Sequence, residues 1–183
     1  FGPNFTKEQR VQVKAFVFGA AYGRGAASVA ADFKIPVYEA ELIHKQLFAN
    51  MPEASKFIAN ARTSCYLGQP VPTVFGRYRR FGLITNKNKN SCENESVNFP
   101  IQSTASDLTL RSGIKFQLWL DEFYPDVKIV NIVHDDILFE CDLKDAEVIA
   151  RKLIEIMGEV PKEFFGDTIP WEADPELCIA GWG

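Results

Sequence analysis

The chain has 183 residues, 46% hydrophobic and 24% charged, with a formal net charge of −4. That length and balance suit one ordinary domain or two small lobes, and they exclude disordered and fibrous classes. No apolar run approaches the roughly 20 residues of a membrane span, so no integral membrane segment is predicted.

Four cysteines, Cys65, Cys92, Cys141 and Cys178, contain no CxxC pair. This argues against a tetrahedral zinc site and a disulfide-dense secreted scaffold, and it suits a reducing compartment. The chain begins at Phe1, and no basic-then-apolar leader precedes the first motif, so no export signal is predicted. The charge is divided unevenly. Residues 1–90 hold 13 Lys/Arg against 5 Asp/Glu, a balance of +8, and residues 91–183 hold 7 against 19, a balance of −12. Two solvated surfaces of opposite sign account for this; so does a basic half that meets polyanions beside an acidic half that holds cations.

In chain order, residues 6–21 read as a helix, with Thr6 as N-cap, Gln9 completing a weak capping box, and Gly23 and Gly25 ending it. Residues 25–33 form a short second helix stopped at Ile35-Pro36. Residues 38–49 and 53–63 form a third and a fourth. Strand-like stretches at 65–74 and 78–85 flank Phe75-Gly76. Residues 86–95 are polar and read as a mobile loop, which coincides with the charge switch and makes the internal boundary: domains 1–90 and 91–183. Residues 103–123 then form a long amphipathic helix. Residues 127–133 and 137–141 form a hairpin around His134-Asp135-Asp136. Residues 145–157 form a helix with Ala146, Ile149, Leu153 and Ile156 on one face. The tail, with Trp171 and Trp182, has no clear period.

Arg10, Lys14, Phe18 and Tyr22 are each four residues apart. On a helix of about 3.6 residues per turn they form one stripe of two cations followed by two aromatics. Such a stripe suits a ligand with phosphates at one end and a flat group at the other. An amphipathic helix with aromatic core contacts has the same spacing.

The run Arg10-x3-Lys14-x3-Phe18-Gly19-x2-Tyr22-Gly23 resembles the fingers-helix motif of family A DNA polymerases at every defining position. Ile132-Val133-His134-Asp135-Asp136 resembles the palm motif of that family, in which Glu usually stands where this chain has Asp136. Asn98-Phe99-Pro100-Ile101-Gln102 resembles the segment leading into the long palm helix, with Asn94 where Arg is common. Thr73 to Arg80 resembles the family's basic hairpin. These elements run in the family's order over nearly the whole chain. Asn98 to Asp107 further resembles phage members.

The resemblance implies an α+β fold, a helical fingers subdomain followed by part of a polymerase palm whose antiparallel hairpin carries His-Asp-Asp. It implies template-directed transfer of a nucleotide from dNTP to a primer 3′-oxygen on primer-template DNA. Arg10, Lys14, Phe18 and Tyr22 would bind the nucleotide, with Lys14 also protonating the leaving pyrophosphate and Phe18 sensing the sugar. Tyr22 and Gly23 would shape the space for the templating base. Arg77, Arg79 and Arg80 would meet the DNA backbone, Asn98 and Gln102 the minor groove, and His134 the primer end. Asp135, with Asp136, would hold Mg²⁺, two ions being clamped between carboxylates in such reactions.

The family's first metal aspartate lies in an Asp-x-Ser-type motif ahead of the fingers helix, and the nine residues before Arg10 contain none. The expectation is therefore a separate chain supplying that carboxylate and the thumb, with this chain inactive alone and working in bacterial or infected-host cytoplasm. Phe1, Phe5, Trp171, Ile179 and Trp182 are candidates for apolar surface facing that partner, and equally for core. Other readings are a single-subunit phage-type RNA polymerase, which shares Arg-x3-Lys, Tyr-Gly and His-Asp, and a non-catalytic nucleic-acid-binding protein.

Overall fold

The computed structural model describes residues 6–22, 25–179 and 181. The side chain of Gln9 and residues Phe1, Phe5, Gly23 and Trp182 lie outside the described residues. The elements are α1 (Lys7–Ala21), α2 (Ala26–Phe33), α3 (Val37–Ala49), α4 (Pro52–Tyr66), β1 (Val71–Pro72), β2 (Tyr78–Arg79), α5 (Lys89–Phe123), β3 (Lys128–Val133), β4 (Asp136–Glu140) and α6 (Ala146–Phe165). They divide into two compact units, Phe1–Gln102 and Ser103–Gly183. The α+β expectation holds in its coarse form, as helices with two small antiparallel hairpins. Among the described residues, no helix is long and apolar enough to cross a membrane.

In the first unit, small residues set the packing. Ala20, Ala30, Ala40 and Ala61 are buried beside Phe16, Val29, Cys65, Val71 and Val97. Punctuation sets the helix lengths. Lys34 takes a left-handed conformation at the end of α2, and Ile35 N–H donates to the Ala30 carbonyl at 3.1 Å. Pro36 caps α3, and Pro52 opens α4, where a missing N–H costs nothing.

The predicted strands at 65–74 and 78–85 shrink to two residues each, paired Val71↔Arg79 and Pro72↔Tyr78. Pro70 and Pro72 have no N–H to extend a ladder, and α4 runs on to Tyr66. The turn sits where expected. Gly76 has φ +82°, Thr73 N–H donates to the Arg77 carbonyl at 2.7 Å, and Arg77 N–H donates to Thr73 Oγ1 at 3.1 Å.

The loop expected at 86–95 is mostly helix, because α5 starts at Lys89. Asn88 seals the short connection: its Oδ1 accepts from Thr85 N–H at 2.6 Å and its Nδ2 donates to the Leu83 carbonyl at 3.1 Å. Tertiary contacts hold the polar first turns. Tyr66 Oη donates to Glu93, and Lys89 lies over the Tyr66 ring at 5.1 Å. The helix expected at 103–123 therefore begins at Lys89, and Asn98 and Pro100 lie in its interior.

All four cysteines are free. Burial pushes the Cys65 thiol above its usual range, and negative charge at Cys92, Glu93 and Glu95 adds to this.

In the second unit, the β3–β4 hairpin packs on α5. Phe116 is fully buried, edge-on to Phe139 at 5.4 Å and stacked with Trp119 at 6.2 Å. Gly113 allows the close approach: a Cβ there would stand 3.1 Å from Ile132 Cδ1. The helix predicted to end at 157 continues through Gly158 and Pro161 to Phe165, because the apolar face runs on through the buried Val160. Gly158 leaves room for the tail, whose Trp171 carbonyl is 3.4 Å from a would-be Cβ. Trp171 packs on Phe165 at 5.8 Å, whereas Ile179 is exposed.

The hairpin register pairs Val133 with Asp136, so His134 and Asp135 form a two-residue turn. His134 has φ +56°; among the described non-glycine residues only Lys34 shares that region.

Phe116→Ala is expected to destabilise the second unit by about 3–5 kcal/mol in urea unfolding, the cost of an aromatic cavity. His134→Gly is expected to stabilise it by about 0.5–1 kcal/mol through relief of the left-handed backbone, read from the same unfolding midpoint.

Candidate functional site

The stripe on α1 is formed as its spacing predicts, and it faces outward. The buried side of this helix carries Phe16 and Ala20. On the other side, Lys14 Nζ lies 5.7 Å from the centre of the Phe18 ring. Phe18 and Tyr22 stack with ring centres 6.1 Å apart and planes 11° from parallel. Phe18 is 46% exposed, too much for a core residue. The alternative of aromatic core contacts therefore applies to Phe16 and not to Phe18. Arg10 and Lys14 are exposed, and among the described residues neither forms an ion pair. The arrangement is a cationic end running into a flat aromatic surface, which matches a phosphorylated ligand with a ring at its far end.

The basic hairpin also lies in the first unit, and its three arginines differ. Arg79 is paired with Glu95 at 2.5 Å, which offsets part of its charge. Arg80 lies over the Tyr78 ring at 4.4 Å and donates to Tyr78 Oη at 3.2 Å. Arg77 is exposed, with its backbone N–H held by Thr73. Tyr78 was not singled out from the sequence. Its signal was the Tyr-x-Arg alternation, which sets ring and guanidinium side by side. Asn98 is half-buried, with Oδ1 buried and unpartnered, whereas Gln102 one turn later is exposed. One helix face thus carries both, at unequal depth.

The acidic turn lies in the second unit. His134, Asp135 and Asp136 are exposed at the hairpin tip, and among the described residues neither carboxylate forms an ion pair. Two adjacent free carboxylates fit a small hard cation, since magnesium is commonly bound by one or two carboxylates with substrate phosphates and water completing the shell. Among the described residues, no group of three or more His, Cys, Asp or Glu converges on one point. The strained turn at His134 is consistent with a functional tip, where backbone strain tends to concentrate.

Comparison with known proteins gives these parts a common context. The chain is 31% identical over 176 residues to the DNA polymerase of Bacillus phage SP01, a match covering 89% of this chain and 19% of that enzyme. It is 30% identical over 173 residues to DNA polymerase I of Aquifex aeolicus, covering 86% of this chain and 29% of the relative. Among solved structures, it superposes with a TM-score of 0.79 and 25% identity on the POL domain of Pol1 from M. smegmatis, solved in complex with DNA primer-template and dNTP. That match covers 91% of this chain and 29% of the other. The chain thus spans less than a third of the length of each of these relatives. The model of DNA polymerase family A matches residues 2–177. The chain belongs to DNA polymerase family A.

Proposed function

We propose that this chain is the fingers-and-palm portion of a template-directed DNA polymerase, transferring a nucleotide from dNTP to a primer 3′-OH. The observation that carries the reading is the outward ladder on α1, with Lys14 over Phe18 and Phe18 stacked on Tyr22. Family membership supports it. The fingers role is assigned to residues 1–90 and the palm role to 91–183.

Arg10 and Lys14 bind the triphosphate by charge-assisted hydrogen bonds, and Lys14 donates the proton that the leaving pyrophosphate takes up. Phe18 lies against the sugar, and Tyr22 with Gly23 shapes the space for the templating base. Arg77, Arg79 and Arg80 hold DNA phosphates. Arg80 is pre-set by its ring contact, and Arg79 exchanges Glu95 for phosphate. Gln102 and the amide of Asn98 meet acceptors present in the minor groove at every base pair, which sense pair shape more than sequence. His134 faces the primer end.

Asp135 and Asp136 are the residues that would hold Mg²⁺, which when bound supplies positive charge to the phosphoryl oxygens during transfer. In the relatives the matched stretch is one part of a longer polypeptide, so nothing in them calls for a separate chain. The first metal carboxylate and the thumb are assigned to polypeptide outside these 183 residues. The work takes place where the DNA lies, in bacterial or infected-host cytoplasm. An RNA polymerase reading is not favoured, because the relatives described above are DNA polymerases.

The test begins with titration of the chain with mant-dATP and Mg²⁺. Saturable binding is expected, and Lys14→Ala should weaken it by about 10–100-fold, the worth of a charge-assisted hydrogen bond, with an unchanged circular-dichroism spectrum. Absence of binding, or a Lys14→Ala variant that binds as wild type, overturns the reading. A salt-sensitive DNA complex indifferent to nucleotide and metal would mark a binding protein instead.

The second test replaces the matching segment of the SP01 phage polymerase with these residues. Primer extension is expected, with deoxynucleotides preferred over ribonucleotides, and Asp135→Asn should abolish it. In the same chimera, Phe18→Tyr should raise dideoxynucleotide incorporation by about tenfold or more, the added phenol hydroxyl supplying a polar group where a dideoxynucleotide lacks its 3′-OH. Unchanged discrimination would remove Phe18 from the sugar site.

A further inference from the structure

Among the described side chains of α1, only Phe16 and Ala20 are buried. Phe16 meets Phe33 of α2 edge-on at 5.8 Å and His44 of α3 edge-on at 5.3 Å. His44 in turn meets Phe48 at 6.3 Å. Among the described side chains of α1, Phe16 is therefore the large buried one, and it ties this 15-residue helix to its two neighbours with only the small Ala20 buried beside it. The socket is also imperfect, because His44 Nε2 is buried without a hydrogen-bond partner. An orphaned buried nitrogen opposes the packing that hides it. Phe16 stands two residues from Lys14 and two from Phe18, within the same stretch of helix but on its other side.

We infer that Phe16, seated in the Phe33–His44 socket, is a positioning residue for nucleotide binding, the pivot that sets the height and tilt of the Lys14–Phe18–Tyr22 stripe. The inference rests on the reading of α1 as the nucleotide-binding helix. A helix held by a continuous apolar seam resists tilting along its whole length. A helix whose buried side is one ring and one alanine tilts about the ring, and its outer face moves with it. Edge-on aromatic contacts have a preferred geometry, so the socket returns the helix to one setting. A displacement of about 1 Å in a binding or reacting geometry costs up to about 100-fold in rate, so the setting of this pivot is read directly at the nucleotide.

The experiment titrates the 183-residue chain with mant-dATP and Mg²⁺ and follows thermal melting in parallel. Phe16→Ala is expected to raise Kd by about fivefold or more, and Phe16→Leu and Phe33→Leu to shift it in the same direction by less. His44→Phe keeps the ring contacts and removes the orphaned nitrogen, so it should bind within about twofold of wild type. Val97→Ala, which empties a buried position on α5 in the same unit, should lower the melting temperature and leave Kd within about twofold. The inference is overturned if Phe16→Ala binds as wild type. It is equally overturned if Val97→Ala weakens binding as much as Phe16→Ala at a matched loss of melting temperature. If the wild-type chain binds no nucleotide, or Lys14→Ala binds unchanged, the reading of α1 falls and the pivot falls with it.

Discussion

A two-stranded ribbon is at best marginally stable in water, and both sheets among the described residues are two-stranded ribbons. Each survives only by resting on a helix. The β3–β4 hairpin lies on α5 through Phe139 on Phe116 and through Ile132 over Gly113. That platform explains why the C-terminal part of α5 carries Phe116 and Leu120 fully buried. It also explains the tip. With the strands anchored below, His134, Asp135 and Asp136 are carried into solvent, the two carboxylates without an ion pair among the described residues, and the turn tolerates a left-handed histidine.

The same logic of opposite faces governs α1. Phe16 and Ala20 face inward, so Arg10, Lys14 and Phe18 face outward, with the half-buried Tyr22 just past the helix end. The outward aromatic rings do not collapse onto the core. They stack on each other, and a lysine covers one end of the stack. An exposed i,i+4 aromatic pair of this kind adds only about 0.2–0.5 kcal/mol to helix stability and leaves a flat surface open to a planar ligand. Arg10 and Lys14 add a cationic end, and the proposed triphosphate contact draws on it.

The asymmetry of charge acquires a finer grain in three dimensions. The basic half is not a uniform cationic surface. Arg79 is bound to Glu95, Lys89 is near Glu93, and Arg80 is stacked on a ring. A polyanion meeting this hairpin finds one guanidinium held in a fixed plane and another already shared with a carboxylate. The net charge of either half therefore overstates the field that a bound strand would feel.

Several features were legible in the residues alone. The offsets of Arg10, Lys14, Phe18 and Tyr22, the helix breaks at Ile35-Pro36 and around Gly25, the apolar face of α6 and the hairpin around His134 all follow from local period and turn chemistry, which act over a few residues. Family membership was legible for the same reason, since its motifs are short and carry fixed offsets. What failed was whatever depends on distant contacts. Residues 86–95 look like a loop because they are polar, yet Tyr66 and Asn88 hold them at the start of a helix. Pro100 looks like a helix start, yet the surrounding unit carries the helix through it. The strands around Gly76 look long, yet two prolines and the extra turn of α4 leave them two residues each. The sequence by itself determined which side chains share a face, because backbone geometry fixes that period. Only the tertiary structure decided which face is turned to solvent and where each element stops, because burial and hydrogen-bond satisfaction are settled by partners far away along the chain.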